Sequence, residues 1–92
     1  MKTIKARIRI TGSVQGVGFR YFVYHNAVKL GVNGRVRNTV GGAVEAVFEG
    51  EEDAVRRLVK LCGEGPRGAD VENTEAEYEE SRGKFKEFGI EP

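Results

Sequence analysis

The sequence has a single cysteine, Cys62, a single histidine, His25, and no tryptophan among its 92 residues. One cysteine forms no internal disulfide, and these two residues do not make the ligand cluster of a structural metal site. No apolar run is long enough for a transmembrane helix, and lysines and arginines interrupt the segment where a signal peptide would be apolar. We therefore expect a cytoplasmic protein with no metal, no cofactor and no membrane contact.

Net charge is also nearly absent. The chain has 15 lysines and arginines against 14 acidic residues, a net charge of +1. This balance does not predict a general surface for nucleic acid or membranes, so any anion-binding site must be local. Ninety-two residues are enough for one domain with a modest core, which we expect to span residues 1–92 and to be a monomer.

The most informative segment is the glycine-containing turn over residues 13–20, between an alternating strand and a helical pattern. Gly16 and Gly18 leave no side chain to keep a ligand off the backbone, so successive N–H groups can converge on an anion. Arg20 falls in the first helical turn, where the macrodipole disfavours a cation by a few tenths of a kcal/mol up to about 1 kcal/mol. A bound anion reverses that sign, and phosphate is the simplest such ligand.

Glycines between a strand and a helix are also a common tight connection, and other phosphate motifs must be considered. A Walker loop requires a lysine directly after its second glycine, and no lysine lies between Lys5 and Lys29. A dinucleotide fingerprint belongs to a longer parallel α/β chain. A cysteine phosphatase would have its nucleophile six residues before the arginine, where this chain has Val14. None of these three motifs matches.

Hydrophobic periodicity predicts strands over residues 2–10, 32–38, 43–49, 71–79 and 85–90 and helices over 19–30 and 51–62, with Gly31 and Gly63 after the helix ends. This order is the ferredoxin-like plan, an α+β two-layer sandwich whose mainly antiparallel sheet has both helices on one face. A right-handed crossover makes the first two strands parallel, so their carboxyl ends meet at one edge. Asn38 shares its strand face with Val36, and we expect it on the helix side, near Arg20.

Two separated motifs resemble a known family. Gln15-Gly16-Val17-Gly18-Phe19-Arg20, followed by Val36-Arg37-Asn38-Thr39 and Gly42-Ala43-Val44-Glu45, is similar to the acylphosphatases, and the similarity covers nearly the whole chain. The resemblance implies a small sandwich that hydrolyses carboxyl-phosphate anhydrides to carboxylate and inorganic phosphate without a metal. It also implies that Arg20 binds the phosphate and that Asn38 positions the water. The expected phosphate-binding residues are Gln15, Gly16, Val17, Gly18, Phe19 and Arg20.

The leaving group of an acyl phosphate resembles an Asp or Glu side chain, with a pKa of about 4, and departs without a proton. Residues 11–20 contain no Asp, Glu, His or Cys, so the segment offers positioning and charge stabilisation without a general acid. Inorganic phosphate is then both product and inhibitor. Asn38 would orient the water, because an amide is not a base at neutral pH.

Two other functions use the same residues. A non-catalytic anion or small-molecule binding module on this fold would need Arg20 and the turn, while Asn38 would be incidental. An RNA-binding sheet would need exposed aromatic residues, but the predicted outward residues of the third strand are Ala43, Glu45, Val47 and Glu49. The arginines on neighbouring strands are better explained by pairing with glutamates, so we expect no nucleic-acid partner.

Overall fold

The computed structural model describes residues 2–92 and has a five-stranded sheet in the order β4-β1-β3-β2-β5. Along the chain the elements are β1 (Thr3–Ser13), α1 (Phe19–Leu30), β2 (Asn33–Asn38), β3 (Val44–Glu51), α2 (Glu52–Glu64), β4 (Asp70–Glu80) and β5 (Phe88–Ile90). Because β3 is antiparallel to both β1 and β2, those two strands run parallel to each other. Their carboxyl ends therefore lie at one edge, and the predicted α+β, ferredoxin-like fold is confirmed.

Strict alternation in β1 places one set of side chains in the core and the other on the open face of the sheet. The buried side chains of the sheet include Ile4, Ala6, Ile8, Ile10, Val36, Val44, Ala46 and Phe48, as the alternation predicts. The helices cover them with Phe19, Val23, Ala27, Val55, Leu58 and Cys62. Burial raises the pKa of the Cys62 thiol to about 12, which makes it a packed, unreactive side chain.

Most predicted element ends shift by one or two residues, and the larger or structurally informative differences are in β1, α2 and β5. β1 continues to Ser13 past a β-bulge at Gly12, whose φ of +123° and closeness to the Asp70 carbonyl leave no room for a Cβ. Gly63 lies inside α2, and Gly65 with φ +74° follows the helix instead. The last strand is shorter than expected and begins only at Phe88.

Two residues predicted to face outward, Ala43 and Glu49, are buried. Glu49 is only 4% exposed because the segment between β4 and β5 folds over it. Its carboxylate accepts hydrogen bonds from the Phe85 N–H at 2.8 Å, the Ser81 hydroxyl at 3.2 Å and the Arg82 N–H at 3.4 Å. Burial acts to raise the pKa of Glu49, but these hydrogen bonds outweigh it and the pKa lies below its ordinary value.

Replacing Glu49 by alanine should therefore lower the free energy of unfolding at pH 7 by about 2 kcal/mol, because three donors lose a charged acceptor. A carboxylate whose folded pKa is lowered contributes its stability above the unfolded pKa and loses it as the pH falls through the folded value. The difference between wild type and variant in denaturant titrations should thus shrink from pH 7 to pH 3. Glu77→Ala, which removes an exposed carboxylate of β4 that makes no ion pair within residues 2–92, is the control. An equal difference at both pH values would contradict this role of Glu49.

Candidate active site

The connection between β1 and α1, residues 14–18, is called the glycine loop below. Its backbone is left-handed at Gly16, with φ +77°, and at Gly18, with φ +76°. A Cβ at either position would meet no protein atom within 4 Å, so the backbone conformation and not a lack of space explains these glycines. Glycines with positive φ are common in the turns whose successive backbone N–H groups bind anions.

The positive end of the α1 helix dipole is not neutralised by α1 itself. Gly18 is the N-cap and has no side chain to bond the free N–H groups, and the first turn contains no acidic residue. The first helical hydrogen bond runs from the Phe22 N–H to the Gly18 carbonyl at 3.0 Å. The N–H groups of residues 19–21 therefore have no partner within the helix, and they add their partial charge to that of the glycine loop.

Arg20 lies half-buried in this first turn, as predicted. Its Nη1 donates a hydrogen bond of 2.6 Å to the backbone carbonyl of Glu91, directly after β5. The Glu91 N–H donates a hydrogen bond of 2.9 Å to the Val36 carbonyl, so the backbone of Glu91 is fixed to β2. Within residues 2–92 no carboxylate lies within 4.0 Å of the Arg20 guanidinium. The side chain is thus oriented by a neutral group, and its charge stays available to an anion.

Asn38 is the last residue of β2, opposite Val44 of β3. Its side chain is half-buried and makes no hydrogen bond within the described part of the chain. The turn that follows, residues 39–43, is called the Asn38 turn. It is closed by the Thr39 N–H on the Ala43 carbonyl at 2.9 Å and by the Ala43 N–H on Thr39 Oγ1 at 3.0 Å. Thr39 therefore holds the turn, and the amide of Asn38 remains free to bind another group.

The glycine loop and the Asn38 turn are in direct contact through Gln15. Its Nε2 donates two hydrogen bonds of 2.8 Å, one to the Thr39 carbonyl and one to the Ala43 carbonyl. The structure thus brings together the two segments that the predicted topology placed at one edge. Sequence reasoning included Gln15 only for its backbone N–H and missed the role of its side chain. No local pattern signals that role, since the partners lie 24 and 28 residues further along.

The open face of the sheet, opposite the helices, carries a shallow groove of about 510 Å³ between the arginines and glutamates of β1, β2, β3 and β4. Glu45 bridges Arg9 and Arg37 at 2.8 Å each, the predicted cross-strand pairing. The hydrogen bond from Arg37 is the main cause of the lowered pKa of Glu45. None of residues 14–20 lines this groove, so it is separate from the candidate site.

Two further features of the described residues concern metal ions and membranes. In residues 2–92, no three His, Cys, Asp or Glu side chains cluster in a way that would hold a metal ion. No helix in that range has the length and apolar character needed to cross a membrane.

Comparison with known proteins gives one consistent family. The model of the family Acylphosphatase matches residues 6–90. A curated acylphosphatase of Caldanaerobacter subterraneus is 45% identical over 90% of this chain and 92% of its own length. That of Pelotomaculum thermopropionicum is 41% identical over 98% of each chain. The crystal structure of the Bacillus subtilis acylphosphatase has a TM-score of 0.93 at 35% identity and covers 97% of this chain and 99% of that one.

Proposed function

Given that this chain belongs to the acylphosphatase family and is an enzyme that hydrolyses acyl phosphates, we propose that residues 15–20 bind the substrate phosphate and that Asn38 orients the attacking water. The observation that carries the proposal is Arg20, a cation with no carboxylate partner among residues 2–92, at the uncapped N-terminus of α1. Repulsion between this charge and the helix dipole is relieved when an anion occupies the space between them.

The phosphoryl group is bound by three sets of donors. The backbone N–H groups of the glycine loop and of the first turn of α1 face its equatorial oxygens, and the Arg20 fork supplies a formal positive charge. In the loose transition state of phosphoryl transfer these oxygens carry the spread negative charge, so fixed donors stabilise the transition state without reorganising. The Glu91 carbonyl holds the guanidinium in place before substrate arrives.

Water attack is assigned to Asn38. Its free amide lies at the end of β2, at the same sheet edge as the glycine loop but outside the row of loop N–H groups. An amide does not remove a proton at neutral pH, so Asn38 acts by holding the water in line with the leaving carboxylate. That leaving group has a pKa of about 4 and needs no general acid.

A non-catalytic anion-binding module on this fold would need only Arg20 and the glycine loop. The curated relatives are named acylphosphatases, and this chain matches them over nearly their whole length. This similarity favours the enzyme instead. We further propose that the chain acts as a single domain over residues 1–92, as a cytoplasmic monomer, with inorganic phosphate as product and competitive inhibitor. Arg20 and the backbone N–H groups supply the positive charge that a metal ion provides in other phosphoryl-transfer sites.

Hydrolysis of benzoyl phosphate should therefore persist in EDTA with kcat/KM unchanged. A phosphate monoester with an alkoxide leaving group should be hydrolysed more slowly by about 10³-fold or more, because no residue of the site protonates that group. The assay compares the two substrates before and after chelation. Added Mg²⁺ serves as the control and should not increase the rate. Complete loss of activity in EDTA with recovery on Mg²⁺ or Zn²⁺ would show that a metal performs the role assigned to Arg20.

A further inference from the structure

The side chain of Gln15 makes two hydrogen bonds that join segments far apart in sequence. Only the NH₂ end of an amide can donate to two carbonyl oxygens, so the orientation of the side chain follows from its partners, the carbonyls of Thr39 and Ala43. Both bonds measure 2.8 Å, close to the optimum for N–H donors, and Gln15 is half-buried. The two hydrogens of the amide are therefore fully used by the Asn38 turn.

The Asn38 turn behaves as one unit because its two ends are bonded to each other, from the Thr39 N–H to the Ala43 carbonyl and from the Ala43 N–H to Thr39 Oγ1. Gln15 donates one hydrogen bond to each end of that turn. Asn38 itself has no side-chain partner among the described residues, so its orientation depends on the backbone it shares with Thr39. Movement of Thr39 relative to the glycine loop would move the Asn38 amide with it.

We propose that Gln15 is a positioning residue, whose side-chain amide sets the distance between the glycine loop and Asn38. This inference rests on the proposed roles of the loop and of Asn38. The Gln15 side chain touches neither the phosphate nor the water, and it acts on the reaction through Asn38. Phosphate binding then requires only the loop and Arg20, whereas hydrolysis also requires the loop and the Asn38 turn in their correct relative position.

The test replaces Gln15 by methionine, which has a similar length and donates no hydrogen bond. kcat for benzoyl phosphate should fall about 10- to 100-fold, since a displacement of about 1 Å in a reacting group can cost 10²-fold. The dissociation constant of inorganic phosphate should stay within about twofold of wild type, because binding uses backbone groups that the substitution keeps. Gln15→Leu, which also donates no hydrogen bond and adds no charge to the glycine loop, should give the same fall in kcat with unchanged phosphate binding if the methionine variant folds poorly.

A double-mutant cycle separates positioning from a general structural role. In an Asn38→Ala background the Gln15→Met substitution should lower kcat by less than about threefold, because the residue through which it acts is already gone. Asn26→Ala is the matched control. It removes a half-buried side-chain amide bond of the same 2.8 Å length, inside α1, and should lower stability without changing kcat.

Three results would overturn the inference. One is a folded Gln15→Met protein with wild-type kcat. Another is a 10- to 100-fold fall in kcat when Gln15→Met is added to the Asn38→Ala variant, which would show that Gln15 acts independently of Asn38. The third is a rise in the phosphate dissociation constant that matches the loss of kcat, which would assign Gln15 to phosphate binding. Failure of the proposed function appears elsewhere, as wild-type activity of Asn38→Ala itself.

Discussion

Replacing Arg20 by alanine should abolish detectable binding of inorganic phosphate and lower kcat/KM for acyl phosphates by about 10³-fold or more, the effect known for arginines that stabilise phosphoryl transfer. The wild-type protein should be stabilised by phosphate. At about ten times the dissociation constant the gain is about 1.4 kcal/mol, or roughly 6–11 °C in Tm for a domain of this size. The variant should show no such shift in thermal unfolding.

Two control variants make this result specific. Arg57→Ala removes the same charge from an exposed position on α2 and should keep both the phosphate shift and the activity. Arg20→Lys keeps the charge without the planar fork and should recover part of the binding but little of the rate. Because Arg20 also bonds the Glu91 carbonyl, Tm without phosphate is measured for every variant. A wild-type phosphate shift in Arg20→Ala would show that another group binds the anion.

Asn38→Ala should separate hydrolysis from binding. We expect kcat to fall by about 10² or more while the dissociation constant of inorganic phosphate stays near wild type, because the residue contacts water and not phosphate. The loss should appear equally in kcat and kcat/KM, with KM little changed. Since Thr39 and Gln15 hold the following turn, Tm should change little. Steady-state kinetics, phosphate titration and thermal unfolding on one preparation provide the three numbers.

Asn33→Ala is the matched control for this substitution. Asn33 is an asparagine at the other end of the same strand, and its amide bonds the Phe85 carbonyl at 3.3 Å. Its removal should cost stability and leave kcat unchanged. If Asn38→Ala instead lost Tm and kept its turnover below the unfolding transition, Asn38 would have a structural role in the turn and some other group would hold the water.

Much of the fold could be predicted because local rules dominate it. The alternation of Ile4, Ala6, Ile8 and Ile10 identified the buried face of β1, and Gly31, with φ +71°, ends α1 as predicted. The right-handed crossover makes β1 and β2 parallel, so the sequence alone places Arg20 and Asn38 at one edge of the sheet. Their catalytic roles remain predictions for the variants above to test.

Other features could not be predicted because they depend on residues distant in sequence. The alternation of β3 places Glu49 on the face predicted to be exposed, and it is buried because the segment over residues 81–85 folds over it. Arg20 is oriented by a carbonyl 71 residues away, and Gln15 by carbonyls 24 and 28 residues away. Backbone carbonyls are present at every residue, so a sequence pattern does not indicate which of them will accept a side-chain donor.

By itself the sequence determined the order of the strands and helices, the buried face of each, and the place of a glycine-rich turn with an arginine at a helix N-terminus. These follow from periodicity, glycine conformation and the helix dipole, which act within a few residues. Only the tertiary structure decided which groups hold Arg20 and the Asn38 turn in place. The reason is physical: those hydrogen bonds form between segments that meet only after the sheet has paired and its loops have closed, and their partners are set by distance in space.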